Sequence, residues 1–229
     1  MSKSEGKRAE RRRQIEAAIL DAGREQLSRR GAAALSLREI ARELGMVSSA
    51  IYRYVASRDE LLTLLLVDAY RGLADAVDSA LVKQRDAPPA EQLATLAVSM
   101  LEWADEHRPE WGLIYGAPVP GYAAPVGETT SPGTRVLVRL AELSPALASN
   151  SRRQPSTCFA KYLATGMRDL GLEIETAAAA WAVHAWCLLV GTISMVVFGQ
   201  LGPEPQHDLK LARAILSDTV ETLVDEARA

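Results

Sequence analysis

The chain has 229 residues, 48% hydrophobic and 24% charged, with a formal net charge of −3. This is the make-up of a soluble globular protein, long enough to bury a core in one domain or two small ones. Its two cysteines, Cys158 and Cys187, are too few and too loosely placed for a zinc cluster or a disulfide framework, and both are expected to be reduced, buried thiols.

Charge is unevenly divided. Residues 1–60 carry 13 Lys/Arg against 9 Asp/Glu, a surplus of four positive charges, while residues 61–229 carry 13 against 20, a deficit of seven. A basic head on an acidic body fits a head that meets phosphates and a body that does not. Ala, Leu, Arg and Glu abound, Phe is scarce and extended Val/Ile/Thr runs are few, so helix is expected throughout.

In chain order, residues 1–8 read as a disordered basic tail with no apolar stretch behind it, which predicts a cytoplasmic protein. A helix is expected over 9–30, with Ile15, Ala18, Ile19, Ala22 and Leu27 inward and Gly31 ending it. Ser36 and Glu39 have capping-box spacing, and Leu37, Ile40, Ala41 and Leu44 share one face of a short helix. Gly45 stops that helix, since glycine takes a left-handed conformation without steric cost. A second helix is predicted over 48–55, Ile51 and Val55 pointing inward. Its outer face offers Ser48, Ser49, Tyr52, Arg53 and Tyr54, a polar and aromatic surface suited to a DNA groove. Ser57 and Glu60 form a second capping box, from which a long helix over 61–83 starts directly, its apolar stripe running from Leu62 to Val77. Motion in the body would therefore reach the head through one continuous element.

Further helices are expected over 91–107, 109–115, 134–148, 155–170, 177–199 and 208–228. A breaker-rich loop is expected over 116–133 and an irregular joint over 150–154. The segment 177–199, with Thr176 as its N-cap, has no Asp, Glu, Lys or Arg and is long enough to cross a bilayer. Its Ala-rich first half and acidic flanks favour a helix buried on all sides in a bundle or subunit interface, so no membrane partner is expected.

The head resembles the TetR family of bacterial transcriptional regulators. The resemblance rests on Leu37-x-x-Ile40-Ala41-x-x-Leu44-Gly45, Ile51-Tyr52-Arg53-Tyr54-Val55 and Arg58-x-x-Leu61-Leu62, and covers about residues 11–62. Val47 stands where the family commonly has a capping Ser or Thr, and Val55 where Phe is frequent; Ser48 is then an alternative cap. The resemblance implies an all-α fold, with a helix-turn-helix head over 9–60 joined by a long helix to an effector-binding and dimerisation domain over 61–229. It implies DNA contacts at Arg38, Ser48, Ser49, Tyr52, Arg53, Tyr54 and Arg58, with Arg53 reading a guanine and the tyrosine hydroxyls and Arg58 on phosphates. Trp186, Gly191, Ser194, Phe198 and Gly199 resemble the family's C-terminal subfamily named for a Trp-His-Gly pattern, although Val190 and Val196 depart from it. Homodimers built on the last two long helices, near 177–199 and 208–228, are implied.

Aromatic and imidazole groups crowd the body. Trp103, His107, Trp111 and Tyr115, with Tyr162, Trp181 and His184 from across the bundle, are candidates to line a cavity for a flat or hydrophobic effector. Trp103 and His107, four residues apart, are expected on one helix face. Tyr122 and Phe159 lie in the same neighbourhood. The reading is a homodimeric repressor of a palindromic operator released by such an effector; an activator, or a protein-interaction module that keeps its head, are the alternatives. No cofactor or metal is expected. Catalysis is not expected either, since the chain lacks a GxSxG elbow, a Gly-rich phosphate loop and an HExxH pair.

Overall fold

The computed structural model describes residues 3–148 and 154–228. The described residues are all-α, as expected: eleven helices and one 3-10 turn, without a strand. The chain forms two compact units, Met1–Arg71 with His107–Ser131, and Gly72–Glu106 with Pro132–Ala229. The division falls inside the long helix and not at residue 60.

The first unit opens with α1 (Lys3–Arg30), so residues 3–8 are helical and not a tail. Lys3, Glu5, Lys7 and Arg8 are strong helix formers set against Gly6, and Arg12–Glu16 and Arg13–Glu10 pairs on the next turns favour the same path. The 3-10 turn Ala32–Ala34, α2 (Leu37–Glu43) and α3 (Ser48–Ile51) follow, and then the start of α4 (Arg58–Val82). Ile19, Ile40, Ile51, Val55, Leu61 and Leu62 close the core, each at most 1% exposed. A fully buried Ile or Leu contributes roughly 1.5–3 kcal/mol. Leu113 of α6 (Arg108–Tyr115) and Val119 and Tyr122 of the following loop pack on that same core.

In the second unit α5 (Pro89–Glu106), α9 (Thr176–Val197) and α11 (Leu209–Arg228) pack on one another, with α8 (Thr157–Asp169) on α9 and the short α10 (Pro203–His207) before α11. A Cβ at Gly72 would sit 3.3 Å from Nε1 of Trp103, so the glycine lets α5 approach α4 closely.

Several expectations are corrected. The breaker-rich loop spans only 116–125, because α7 (Val126–Leu147) starts earlier than expected and takes up Gly127, Pro132 and Gly133 within the helix. Pro125 starts it, its carbonyl accepting from the Glu128 and Thr129 amides at 3.1 Å. Glu175, not Thr176, is the N-cap residue of α9. Both cysteines are exposed rather than buried. Within the single chain, α9 turns Ala182, Ala185, Leu189 and Ile193 inward, while Leu188, at 42%, and Met195, at 41%, face outward. It is the one described helix long and apolar enough to cross a membrane. The expected joint at 150–154 lies outside the described residues save for Gln154.

Candidate nucleic-acid interface

The interface is built on α2 and α3. Ser36 caps α2, its hydroxyl accepting from the Glu39 amide at 3.4 Å. The reciprocal half of that capping box is absent: the Ser36 amide donates to Oε1 of buried Gln26 at 3.0 Å, and the Glu39 carboxylate takes Arg30 at 2.6 Å. Gln26 was not singled out from the sequence, although it precedes Leu27 on the inward face of α1. Gly45 turns the chain with φ 65°, and the Met46 amide closes the turn on the Ala41 carbonyl at 2.7 Å.

α3 is shorter than expected. Its regular part is Ser48–Ile51, and the path to Val55 is completed by tight turns in which the Arg53 and Tyr54 amides donate to Ala50 and Ile51 carbonyls at 3.2 and 2.9 Å. Val47 is the N-cap residue, with φ −65° and ψ 133°, and no side chain caps the helix. Ser48 therefore does not take over as cap. The forgone cap costs about 1 kcal/mol.

Arg38, Ser48, Ser49, Tyr52 and Arg53 are all exposed. Arginines of α1 are neutralised nearby, Arg24 by Asp68 at 2.7 Å and by Asp21, Arg29 by Glu25 at 2.5 Å. Neither Arg38 nor Arg53 has an ion pair among the described residues, so their charge faces solvent uncompensated. Tyr54 is half-buried against the core, its ring 5.7 Å from the Arg12 guanidinium. Arg58 is partly committed within the protein. Its Nη2 donates to the Ala32 and Ala33 carbonyls at 3.0 and 3.1 Å, and Nη1 lies 3.7 Å from Asp59. The second cap does form: the Ser57 hydroxyl accepts from the Glu60 amide at 3.1 Å, while the Glu60 carboxylate reaches back to the amide of Ala56.

The effector candidates divide between the units. In the first, Trp111 is fully buried, with its ring centroid 4.5 Å from that of Tyr115, which stands edge-on to Tyr70 at 6.4 Å. Burial, and then the neighbouring Tyr70, push the Tyr115 phenol far above its ordinary value. In the second, Trp103 packs on Gly72 and the Trp181 indole donates to the Leu223 carbonyl at 3.2 Å. His184 is exposed with Phe159 5.6 Å away, and Phe159 stacks at 6.3 Å on Tyr162, itself 69% exposed. α5 ends at Glu106 and His107 is the N-cap residue of α6, so Trp103 and His107 do not share a helix face. A groove of about 460 Å³ lies in the second unit, lined by Asp78, Leu81, Arg85, Arg139 and Glu142 among others. None of the seven candidates lines it.

A buried three-helix core that holds a tight glycine turn and an outward cationic face defines a helix-turn-helix DNA-binding protein. Residues 19–65 match the model of the bacterial regulatory proteins of the tetR family, and residues 93–219 match the tetracyclin repressor-like C-terminal domain. The chain is 42% identical over 208 residues to the HTH-type transcriptional regulator Rv1816 of Mycobacterium tuberculosis, covering 89% of each protein. Among solved structures it resembles the regulatory protein SCO4313, with TM-score 0.73 and 32% identity over 93% of this chain and 98% of that one. The fold also matches FadR of Bacillus subtilis, solved with stearoyl-CoA, at TM-score 0.59 and 13% identity over 92% and 98% of the two chains. The chain belongs to the TetR family of transcriptional regulators, and it is not an enzyme.

Proposed function

We propose that this regulator is a homodimeric repressor, acting in the cytoplasm on a palindromic operator and released by a small hydrophobic or aromatic effector. The observation that carries the operator half is the exposed, unpaired cationic and hydroxyl face at Arg38, Ser48, Ser49 and Arg53. Such a face gains phosphate contacts from its charge and base contacts from Arg53 and the serines. Two such heads on a two-fold axis would read half-sites about one DNA turn apart.

The dimer half is supported by the outer face of α9, where Leu188 and Met195 are exposed in the single chain, and by Phe198 just past its end, each more than a third exposed. Apolar side chains gathered on one face of a long helix call for a partner, and a second copy supplies one by symmetry. The effector half is supported by the buried Trp111 with the half-buried Tyr115 beside it, and by FadR of the same fold, whose solved complex holds stearoyl-CoA. α4 runs without a break from the first unit into the second, which gives an effector a route to the head.

In-vitro selection of DNA by the purified protein at two salt concentrations tests this reading. The expected result is an inverted repeat bound by one dimer with a steep salt dependence. Weak binding without an enriched sequence would sink it.

A further inference from the structure

Val47 is 74% exposed, whereas its neighbour Met46 packs on the core of the first unit. The chain thus turns Met46 in and Val47 out. Its backbone is extended, and its carbonyl is engaged at 2.7 Å by the Ala50 amide, which anchors the residue to the first turn of α3. A β-branched side chain has little freedom about its first torsion, so the two methyls are presented in a narrow range of directions. Exposed Ser48 and Ser49 follow it directly. A Ser or Thr at this position would cap α3; the valine forgoes that bond and offers the surface only hydrocarbon. Nothing described in the first unit covers it.

A major groove offers one apolar group on its floor, the C5-methyl of thymine. We propose that Val47 reads that methyl, and so selects thymine at one position in each half-site. This deepens the operator reading above and rests on it. Ser48, Ser49 and Arg53 offer hydrogen bonds, which see donors and acceptors; Val47 adds the one discrimination they lack, thymine against a base without the methyl. Binding removes the isopropyl group and the thymine methyl from water together.

The test uses the full-length protein and the operator recovered by selection, with each thymine of one half-site replaced in turn by deoxyuridine. The two bases pair identically and differ only in the methyl. The expected result is a single position where the replacement weakens wild-type binding about fourfold, the worth of one buried methyl-sized group. In Val47→Ala that difference disappears. Val47→Ser, which restores a capping side chain, loses it too, so the effect follows the methyls and not helix stability.

Equal affinity for thymine and deoxyuridine at every position would overturn the assignment while leaving the operator reading intact. So would an unchanged deoxyuridine penalty in Val47→Ala, which would hand the methyl to another side chain such as Tyr52. Failure to enrich any sequence would overturn the operator reading, and the Val47 assignment with it.

Discussion

Arg58 shows how a residue can carry two duties. Its Nη2 closes the 3-10 turn by donating to two successive carbonyls, and its Nη1 lies 3.7 Å from Asp59. The family resemblance assigns it a phosphate; the geometry assigns it the turn. Arg58→Ala separates the two. Loss of the turn contacts should lower stability by about 1–2 kcal/mol, read by urea denaturation, since bonds from a charged donor are worth somewhat more than neutral ones. If Arg58 also meets a phosphate, binding should weaken equally on all sequences and the salt slope should fall by about one. A stability loss with an unchanged slope would leave it a purely structural residue.

At the scale of elements, two contacts set how well the pieces hold. The loop over 116–125 is tied to α4 by the Tyr122 hydroxyl and Thr63 Oγ1, 2.9 Å apart. Gly121 makes that approach possible, with φ 77°. Tyr122→Phe keeps the ring in the core and removes the hydrogen bond, a loss of about 1 kcal/mol. Amide exchange in 116–125 should quicken while α1 and α2 stay protected; uniform protection would mean that the ring alone holds the loop. In the second unit Asp78 of α4 takes Arg139 at 2.7 Å and Arg135 at 2.7 Å from α7. Burial opposes its ionisation, but hydrogen bonds from Arg139 and Arg135 outweigh burial and hold the carboxyl below its ordinary value of 3.8. A depressed carboxylate stabilises the fold above that ordinary value and ceases to do so as pH falls through the lower folded one. Asp78→Asn should therefore be less stable than wild type at neutral pH, with the gap in melting temperature closing below about pH 4. A gap independent of pH would show that shape, not charge, matters there.

For the whole molecule, the uncovered apolar face of α9 is the decisive feature. Met195→Glu together with Leu188→Glu places charge on residues already more than 40% exposed, so the single chain should still fold. If the proposed dimer forms there, sedimentation should show a dimer for wild type and a monomer for the double variant, and operator affinity should drop by at least tenfold as the two heads cease to bind as one. A dimer that survives both substitutions would move the interface elsewhere.

Much of this protein was legible in its residues. The family pattern from Leu37 to Leu62, the glycine turn, the inward Ile51 and Val55 and the stripe of α4 depend on local propensity and period, which neighbours in sequence carry. The membership of the TetR family and the all-α fold follow from them. Other features belong to contacts between distant residues. That Glu39 leaves its capping role for Arg30, that Gln26 takes the Ser36 amide and that Tyr122 joins the core of the first unit could not be read from spacing, because each partner lies outside its own element. Pro132 misled in its own way: its chemistry marks a break and assigns it to the loop, yet α7 includes it. The sequence by itself determined the helices, the head and the family, since these are written in short-range pattern. Only the tertiary structure decided which arginines are spent on neighbours, which cysteines face water and which apolar faces stay uncovered. Burial and charge pairing arise between residues that the fold, and not the chain order, brings together.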